Sequence, residues 1–542
     1  MHTSACSTTG LALLSLASLG LTASVPRQNN GAVTVAIAVP STVPSTASKT
    51  ISPNFPGFAF EQSSWVRYAQ NGIGTRNNFT NNLIAAVTSR TGGVPIIRLG
   101  GTSPDYGKYI PSQQAAALPV AEQDNYQDIG HTSIGPSYWP LTKFFPNAKW
   151  MIQVPFADTN VSEAIVWAKT AIDTIGINSI HSLQIGNEPD LYRDDFRGER
   201  GIFLGPPAYQ GTLDNATYVG NWTKYATAIR RALPSVPNRF FTAFDVAAHV
   251  EDQSMASWLL DPKTCYGLGI DAGNNIKEVS HHYYQNVAGR AADLQAGLMT
   301  LSVTHRNLDY LKPRIAWLKA NRPDTPFIIN ELGNSLQRTN SYEYQARLGS
   351  ALWAVDFYLY AMTIGVAAIN YQQIMHSGFD LWLPVHSGGL QAQVFANFYS
   401  QPFVADFIGN KGKARVVKLN MSNAPANLAA YAAYEDGVPK RIAVANLEYW
   451  NQTSSTFARP QTPITLTLPR TVRSVTVTRL NSPAGAGAAA DSITYAGSQW
   501  DFNLRGQEIK NVRADTRTVA VGSNGVVNIL VPFSSAAMIY LS

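Results

Sequence analysis

Eight short, mostly apolar runs, each followed by a longer stretch, constrain this chain more than any other feature. They are GFAFE (from Gly57), VPIIRLGG (Val94), KWMIQVPF (Lys149), HSLQIGNE (His181), RFFTAFDV (Arg239), IKEVSHHYY (Ile276), PFIINELG (Pro326) and GVAAINYQQ (Gly365). The runs are apolar nearly throughout, as parallel strands covered on both faces must be. Most of the stretches between them read as helices. Residues 77–90 end in Thr91-Gly92-Gly93, 160–175 end at Gly176, 214–233 stop at Pro234, and 342–363 stop at Gly365. Eight strand–helix units predict an α/β fold, a (β/α)8 TIM barrel over residues 45–409. The third unit, SPDYGKYIPSQQAAALPVAEQDNYQDIG from Ser103, reads as a long functional loop.

After about residue 409 the pattern changes to short alternating runs such as ARVVKLNM, RIAVANLEY, ITLTLP, SVTVTRL and GVVNILVPF, separated by turns. These predict a C-terminal antiparallel β-sandwich over 410–542. The chain has 542 residues, too many for one ordinary domain. AVTVAIAVP, residues 32–40, also reads as a strand. It has no barrel role, so residues 25–44 are expected to join the sandwich.

Charged residues make up 14% of the chain, well under the usual quarter or so. The net charge of +6 is dispersed, with no lysine/arginine block, so nucleic acid is not an expected partner. Residues 11–21 (LALLSLASLGL), followed by Thr22, Ala23 and Ser24, read as a signal peptide over 1–24, although no lysine or arginine precedes them. A secreted, extracellular protein is expected. No later segment is long and apolar enough to span a bilayer, so no membrane partner is expected. Cys6 would leave with the signal, and Cys265 then reads as a small buried apolar residue. Sequons at Asn78, Asn160, Asn215, Asn221, Asn420 and Asn451 are candidate glycosylation sites, some of them expected to be used.

Barrel enzymes carry their reacting groups at the C-terminal ends of the strands. Those ends here hold Glu61, Arg98, Asn187-Glu188, His281-His282-Tyr283-Tyr284, Asn330-Glu331 and Tyr371-Gln372-Gln373. Strands 4 and 7 lie three places apart round the ring, so Glu188 and Glu331 are expected to face each other across its mouth. Such a pair suits glycoside cleavage, in which one carboxyl group is a proton donor and the other attacks the anomeric carbon. Repulsion and partial desolvation are expected to push their pKa values apart. Asn187 can hydrogen-bond the sugar 2-hydroxyl. His281 and His282 point to opposite faces of one strand and cannot jointly hold an ion, so neither metal nor cofactor is expected. Arg98 reads equally as a barrel brace. Tyr106, Trp139 and Trp150 read as packing.

GNEPD after strand 4 and NELGN after strand 7 resemble the clan of retaining barrel glycosidases with Asn-Glu on strand 4 and Glu on strand 7. FTNNLIAAVTSRTGGVPIIRLGGTSPDY, LQIGNEPDLY and LGSALWAVDFYLYAMTIGVAAINYQQ narrow the resemblance to glycoside hydrolase family 79, the β-glucuronidase and heparanase group. The resemblance implies Glu188 as general acid/base, Glu331 as nucleophile and Asn187 as the 2-hydroxyl partner. It also implies Glu61 at the distal sugar hydroxyls, and Tyr284 or Tyr283 steadying the nucleophile. The uronate carboxylate would be held in the loop after strand 8, where Ser377 and Gly378 could supply amides and His376 a positive charge. Leu336 stands where family members often have a tyrosine. The implied activity is a secreted, retaining exo-β-glucuronidase, removing terminal glucuronic or 4-O-methylglucuronic acid from glycans such as arabinogalactan side chains. Its partner would be a carbohydrate bearing uronic acid, and the protein a monomer. The alternatives are an endo-acting heparanase- or hyaluronidase-like enzyme and a non-catalytic carbohydrate-binding barrel.

Overall fold

The computed structural model describes residues 33–122, 124–125, 129–192, 214–247, 260–286, 293–335, 344, 346–375 and 380–542. The expected signal peptide, Cys6, Leu336, His376, Ser377 and Gly378 lie outside the described residues.

All eight apolar runs are strands of one closed, parallel barrel. In chain order they are β1 (Pro56–Glu61), β2 (Ile96–Gly100), β3 (Lys149–Val154), β4 (Ile180–Ile185), β5 (Phe241–Val246), β6 (Ile276–Asn286), β7 (Phe327–Ser335) and β8 (Ile369–Gln373). β8 pairs with β1, Tyr371 opposite Phe58, and closes the ring. β1, β2, β5, β7 and β8 are buried at every position, which is why their apolar residues do not alternate with polar ones.

The helices begin one residue later than the sequence pattern predicts, because their first polar residues are caps. Asn77 accepts the Phe79 and Thr80 N–H groups ahead of helix Asn78–Thr91, and Asn160 accepts those of Ser162 and Glu163 ahead of Val161–Ile175. Asp214 caps Asn215–Ala232 through Thr217. The long helix runs from Leu348 to Ile364, starting six residues later than expected. The third unit is a layer of short pieces: a small sheet of Lys108–Tyr109, Ser133–Ile134 and Ala117–Leu118, flanked by the 3-10 turns Ser103–Tyr106 and Trp139–Phe144. Trp139 and Trp150 are packed in the core, and Tyr106 lies against it.

The C-terminal residues form two stacked sheets. The smaller is ordered Met421–Ser422, Val35–Ala38, Gln461–Thr467, Val526–Pro532. The N-terminal strand therefore pairs with the C-terminal sheets, and it runs parallel to Gln461–Thr467, an exception in an otherwise antiparallel sandwich. In the larger sheet, Leu428–Glu435 is buried on both sides. Leu428, Ala430, Ala432 and Tyr434 face the sandwich interior, whereas Ala429, Tyr431 and Ala433 belong to the barrel's core. The neighbouring strands Arg415–Lys418 and Val438–Asn446 pack on the helix Leu348–Ile364, and Tyr431 donates to its Asp356 at 2.6 Å, so the helix is covered by the sandwich as well as by the barrel and is apolar nearly all round.

Cys265 is buried and its thiol donates to Asn215 Oδ1 at 3.1 Å. Burial pushes the thiol up to about 12, which leaves it inert as a nucleophile.

Candidate active site

β4 ends at Ile185, and the chain then turns sharply. Gly186 has φ +78°, and a Cβ there would lie 2.6 Å from Phe156. Glu188 itself is left-handed at φ +47°, a conformation unusual for a non-glycine residue. Pro189 follows at the start of a 3-10 turn, Pro189–Leu191. This turn lifts the Glu188 carboxylate out of the strand, and its side chain keeps 19% exposure while that of Glu331 keeps 5%.

The two carboxylates converge at the C-terminal mouth. One carboxylate oxygen from each of Glu188 and Glu331, together with a ring nitrogen of His282, lies within 4.8 Å of the others. His282 Nδ1 is 2.9 Å from Glu188 Oε1 and 3.5 Å from Glu331 Oε2. Arg98, fully buried, donates from Nη1 to Glu331 Oε1 at 2.5 Å and from Nη2 to Asn187 Oδ1 at 2.6 Å. It is a brace, and it braces the site. With Asn187 Oδ1 occupied, the amide nitrogen is the atom left to donate to a sugar hydroxyl.

The strand-6 tyrosines resolve by alternation. Tyr284 donates its hydroxyl to Glu331 Oε2 at 2.5 Å. Burial, then the charges of Glu331 and Glu188, push its phenol well above the usual range, so it stays a donor. Tyr283 is not at the site: it points outward, packs at a tilt against the Phe357 ring and donates to Gln285. His281 likewise faces outward against the Phe327 ring, while His282 faces in.

Glu61 stands at the end of β1 but is turned into the following helix. Its Oε2 accepts the N–H and hydroxyl of Ser63 at 2.8 and 2.6 Å, and Oε1 accepts the Ser103 N–H at 3.0 Å. Burial raises its pKa. It is a helix cap here, and contact with distal sugar hydroxyls rests on the family resemblance alone.

Two acids that the sequence did not single out hold the arrangement together. Asp105, from the irregular third unit, accepts the Asn187 N–H at 3.0 Å and the Tyr192 hydroxyl at 2.5 Å. Burial pushes its pKa well up. Asp245, at the end of β5, accepts from Arg98 Nη2 at 2.8 Å, from Ser280 at 2.5 Å and from Asn330 at 2.9 Å, and lies 2.9 Å from His282 Nε2. Burial alone would raise its pKa, but the charges of His282 and Arg98 hold it well below the usual carboxylate range.

Glu188, His282 and Glu331 also have the spacing of an open three-ligand metal site. Burial would lower the His282 pKa, but Asp245, then Glu331, lift it to about 10.

Two acid side chains from β4 and β7 over the open end of a parallel barrel define a barrel glycoside hydrolase. Residues 430–538 match the model of the glycosyl hydrolase family 79 C-terminal beta domain. The chain is 28% identical over 535 residues to a beta-glucuronidase of Aspergillus niger, covering 93% of this chain and 94% of that one. It is 26% identical to a beta-glucuronidase of Neurospora crassa, covering 92% of each. Among solved structures it superposes on a 4-O-alpha-L-rhamnosyl-beta-D-glucuronidase of Fusarium oxysporum with a TM-score of 0.76 at 19% identity, over 93% of this chain and 100% of that one. A family 51 arabinofuranosidase of Xanthomonas axonopodis shares the fold more distantly, with a TM-score of 0.61 at 16% identity over 94% of this chain and 100% of that one. Together these comparisons support family 79 of the glycoside hydrolases, the family that the longer stretches around LQIGNEPDLY and LGSALWAVDFYLYAMTIGVAAINYQQ resemble.

Proposed function

We propose that this glycoside hydrolase is a secreted, retaining exo-β-glucuronidase that releases terminal glucuronic acid, or its 4-O-methyl form, from glycans. The observation that carries the reading is the approach of Glu188 and Glu331 to within 4.8 Å, with Arg98 and Tyr284 both bonded to Glu331. Carboxyl groups about 5–5.5 Å apart leave no room for a water between them and suit double displacement. The two relatives named beta-glucuronidase support the choice of sugar.

In this reading Glu331, oriented by Arg98 and Tyr284, attacks the anomeric carbon while Glu188 protonates the departing glycosidic oxygen. A glucuronyl ester forms on Glu331 and the aglycone leaves. Glu188, now ionised, takes a proton from water as that water attacks the anomeric carbon, and Glu331 is released as a carboxylate. The Asn187 amide donates to the 2-hydroxyl. His376, Ser377 and Gly378 are proposed to hold the uronate carboxylate. The apolar run at 11–21 supports export.

Hydrolysis of an aryl β-glucuronide, compared with aryl β-glucoside and β-galactoside, tests the activity. Free glucuronic acid released one residue at a time from a glycan supports exo action, and oligosaccharide products would refute it.

A further inference from the structure

Asp245 is tied to both catalytic carboxylates while touching neither. Its carbonyl oxygen accepts the Glu188 N–H at 3.0 Å. Its carboxylate binds Arg98, which binds Glu331, and lies beside His282, which bridges Glu188 and Glu331. The side chain is 1% exposed, so it acts through its neighbours and not on a sugar. The backbone is bent to allow this: Phe244 has φ +77° and Asp245 φ +48°. Two successive left-handed non-glycine residues store strain, which persists only where surrounding contacts enforce it. Here the Phe244 N–H donates to the Tyr218 hydroxyl oxygen at 2.8 Å, and the twist aims the carbonyl and the carboxylate of one residue at different members of the site.

We propose that Asp245 is a positioning residue of the hydrolytic reaction: through its contacts with His282 and Arg98 it binds Glu188 and Glu331 into one electrostatic unit. The inference rests on the glycosidase reading of the site. The groups facing His282 are Glu188 and Asp190 from the β4 turn, Asp245 from β5 and Glu331 from β7, while His281, on the opposite face of β6, is close enough to feel its charge. With Glu188 protonated, two cations (Arg98, His282) balance two anions (Asp245, Glu331). That is the charge state the acid step requires. Without the Asp245 charge, the strongest effect opposing burial at His282 is gone and the ring's pKa falls.

Asp245→Asn keeps the shape and removes the charge. The expected variant folds, with kcat lowered about 10- to 100-fold and KM little changed on whichever aryl glycoside the wild type hydrolyses. It gains a new pH limb, its rate falling as pH rises through the lowered His282 pKa. The double variant with His282→Gln is no slower than His282→Gln alone. Nitrogen-15 shifts of His282, read without substrate, should show a protonated ring from pH 5 to 8 in the wild type and a titrating ring in Asp245→Asn. An unchanged pH profile, additive losses, or a neutral wild-type His282 at pH 7 would overturn the proposal. The wild-type titration decides even if the variant does not fold. Failure to cleave β-glucuronides, by contrast, would refute the substrate and leave the His282 titration standing.

Discussion

Arg98 Nη1 meets Glu331 Oε1 at 2.5 Å, with the two side chains 0% and 5% exposed. Water is nearly excluded from this pair, so each charge depends on the other and on Asp245. Removing the cation strands two buried carboxylates. Arg98→Leu is therefore expected to destabilise the protein by about 3–5 kcal/mol in denaturant unfolding. It should also lower kcat/KM by about 10²–10³-fold, since the nucleophile loses its orienting donor.

Tyr284→Phe deletes one charge-assisted hydrogen bond to Glu331 and nothing of the ring packing. A bond of that kind is worth about 1.5–3 kcal/mol, so a loss of about 10- to 100-fold in kcat is expected. Tyr283→Phe, one residue away on the opposite face, should register in the melting temperature and leave kcat near the wild-type value. Steady-state kinetics of the two variants side by side check the alternation.

Glu188→Ala should separate the two chemical steps. Substrates with poor leaving groups lose nearly all their rate, because nothing protonates the departing oxygen. An activated aryl substrate should still form the ester on Glu331, and added azide should then restore turnover as a β-glycosyl azide. Rates that fall equally for all leaving groups would assign the proton donor elsewhere.

At the opposite end of the barrel, Glu278 accepts from Thr242 and Ser182 at 2.7 and 3.1 Å and lies 3.1 Å from His181 Nε2. Burial would raise its pKa, but its neighbours, the charge of His181 above all, bring it down from 4.5 to about 2. A depressed acid stabilises the fold above its unfolded pKa, so this contribution is complete above about pH 4.5. It is lost as pH falls toward 2, about 3 kcal/mol in all. Glu278→Gln should be less stable than the wild type at pH 6 in urea unfolding, and the difference should shrink as the pH drops below 4.5.

The eight barrel strands and the Glu188–Glu331 pair were legible because each depends on local sequence: apolar runs for strands buried on both faces, and charged ends where those runs stop. Helix starts slipped by one residue because Asn77, Asn160 and Asp214 cap from outside the helix. Asp245 was illegible for a different reason. Its importance comes from two left-handed residues that point its carbonyl and its carboxylate separately, and no residue type in AFDV announces them. Asp105 was hidden in the one unit without a helical pattern. Glu61 could be placed at a strand end, but its capture by Ser63 and Ser103 depends on how the next helix begins. Leu428–Glu435 belongs to the sandwich, and only the packed structure shows its second face lying against the barrel.

The most direct test is to trap the reaction halfway. A 2-deoxy-2-fluoro β-glucuronide with an activated leaving group slows hydrolysis of the ester more than its formation, and peptide mass analysis then locates the sugar. A stoichiometric label on Glu331, with time-dependent loss of activity, is the expected result. A label on Glu188, or steady turnover of β-glucuronides with no covalent species and inversion at the anomeric carbon, would contradict the central claim.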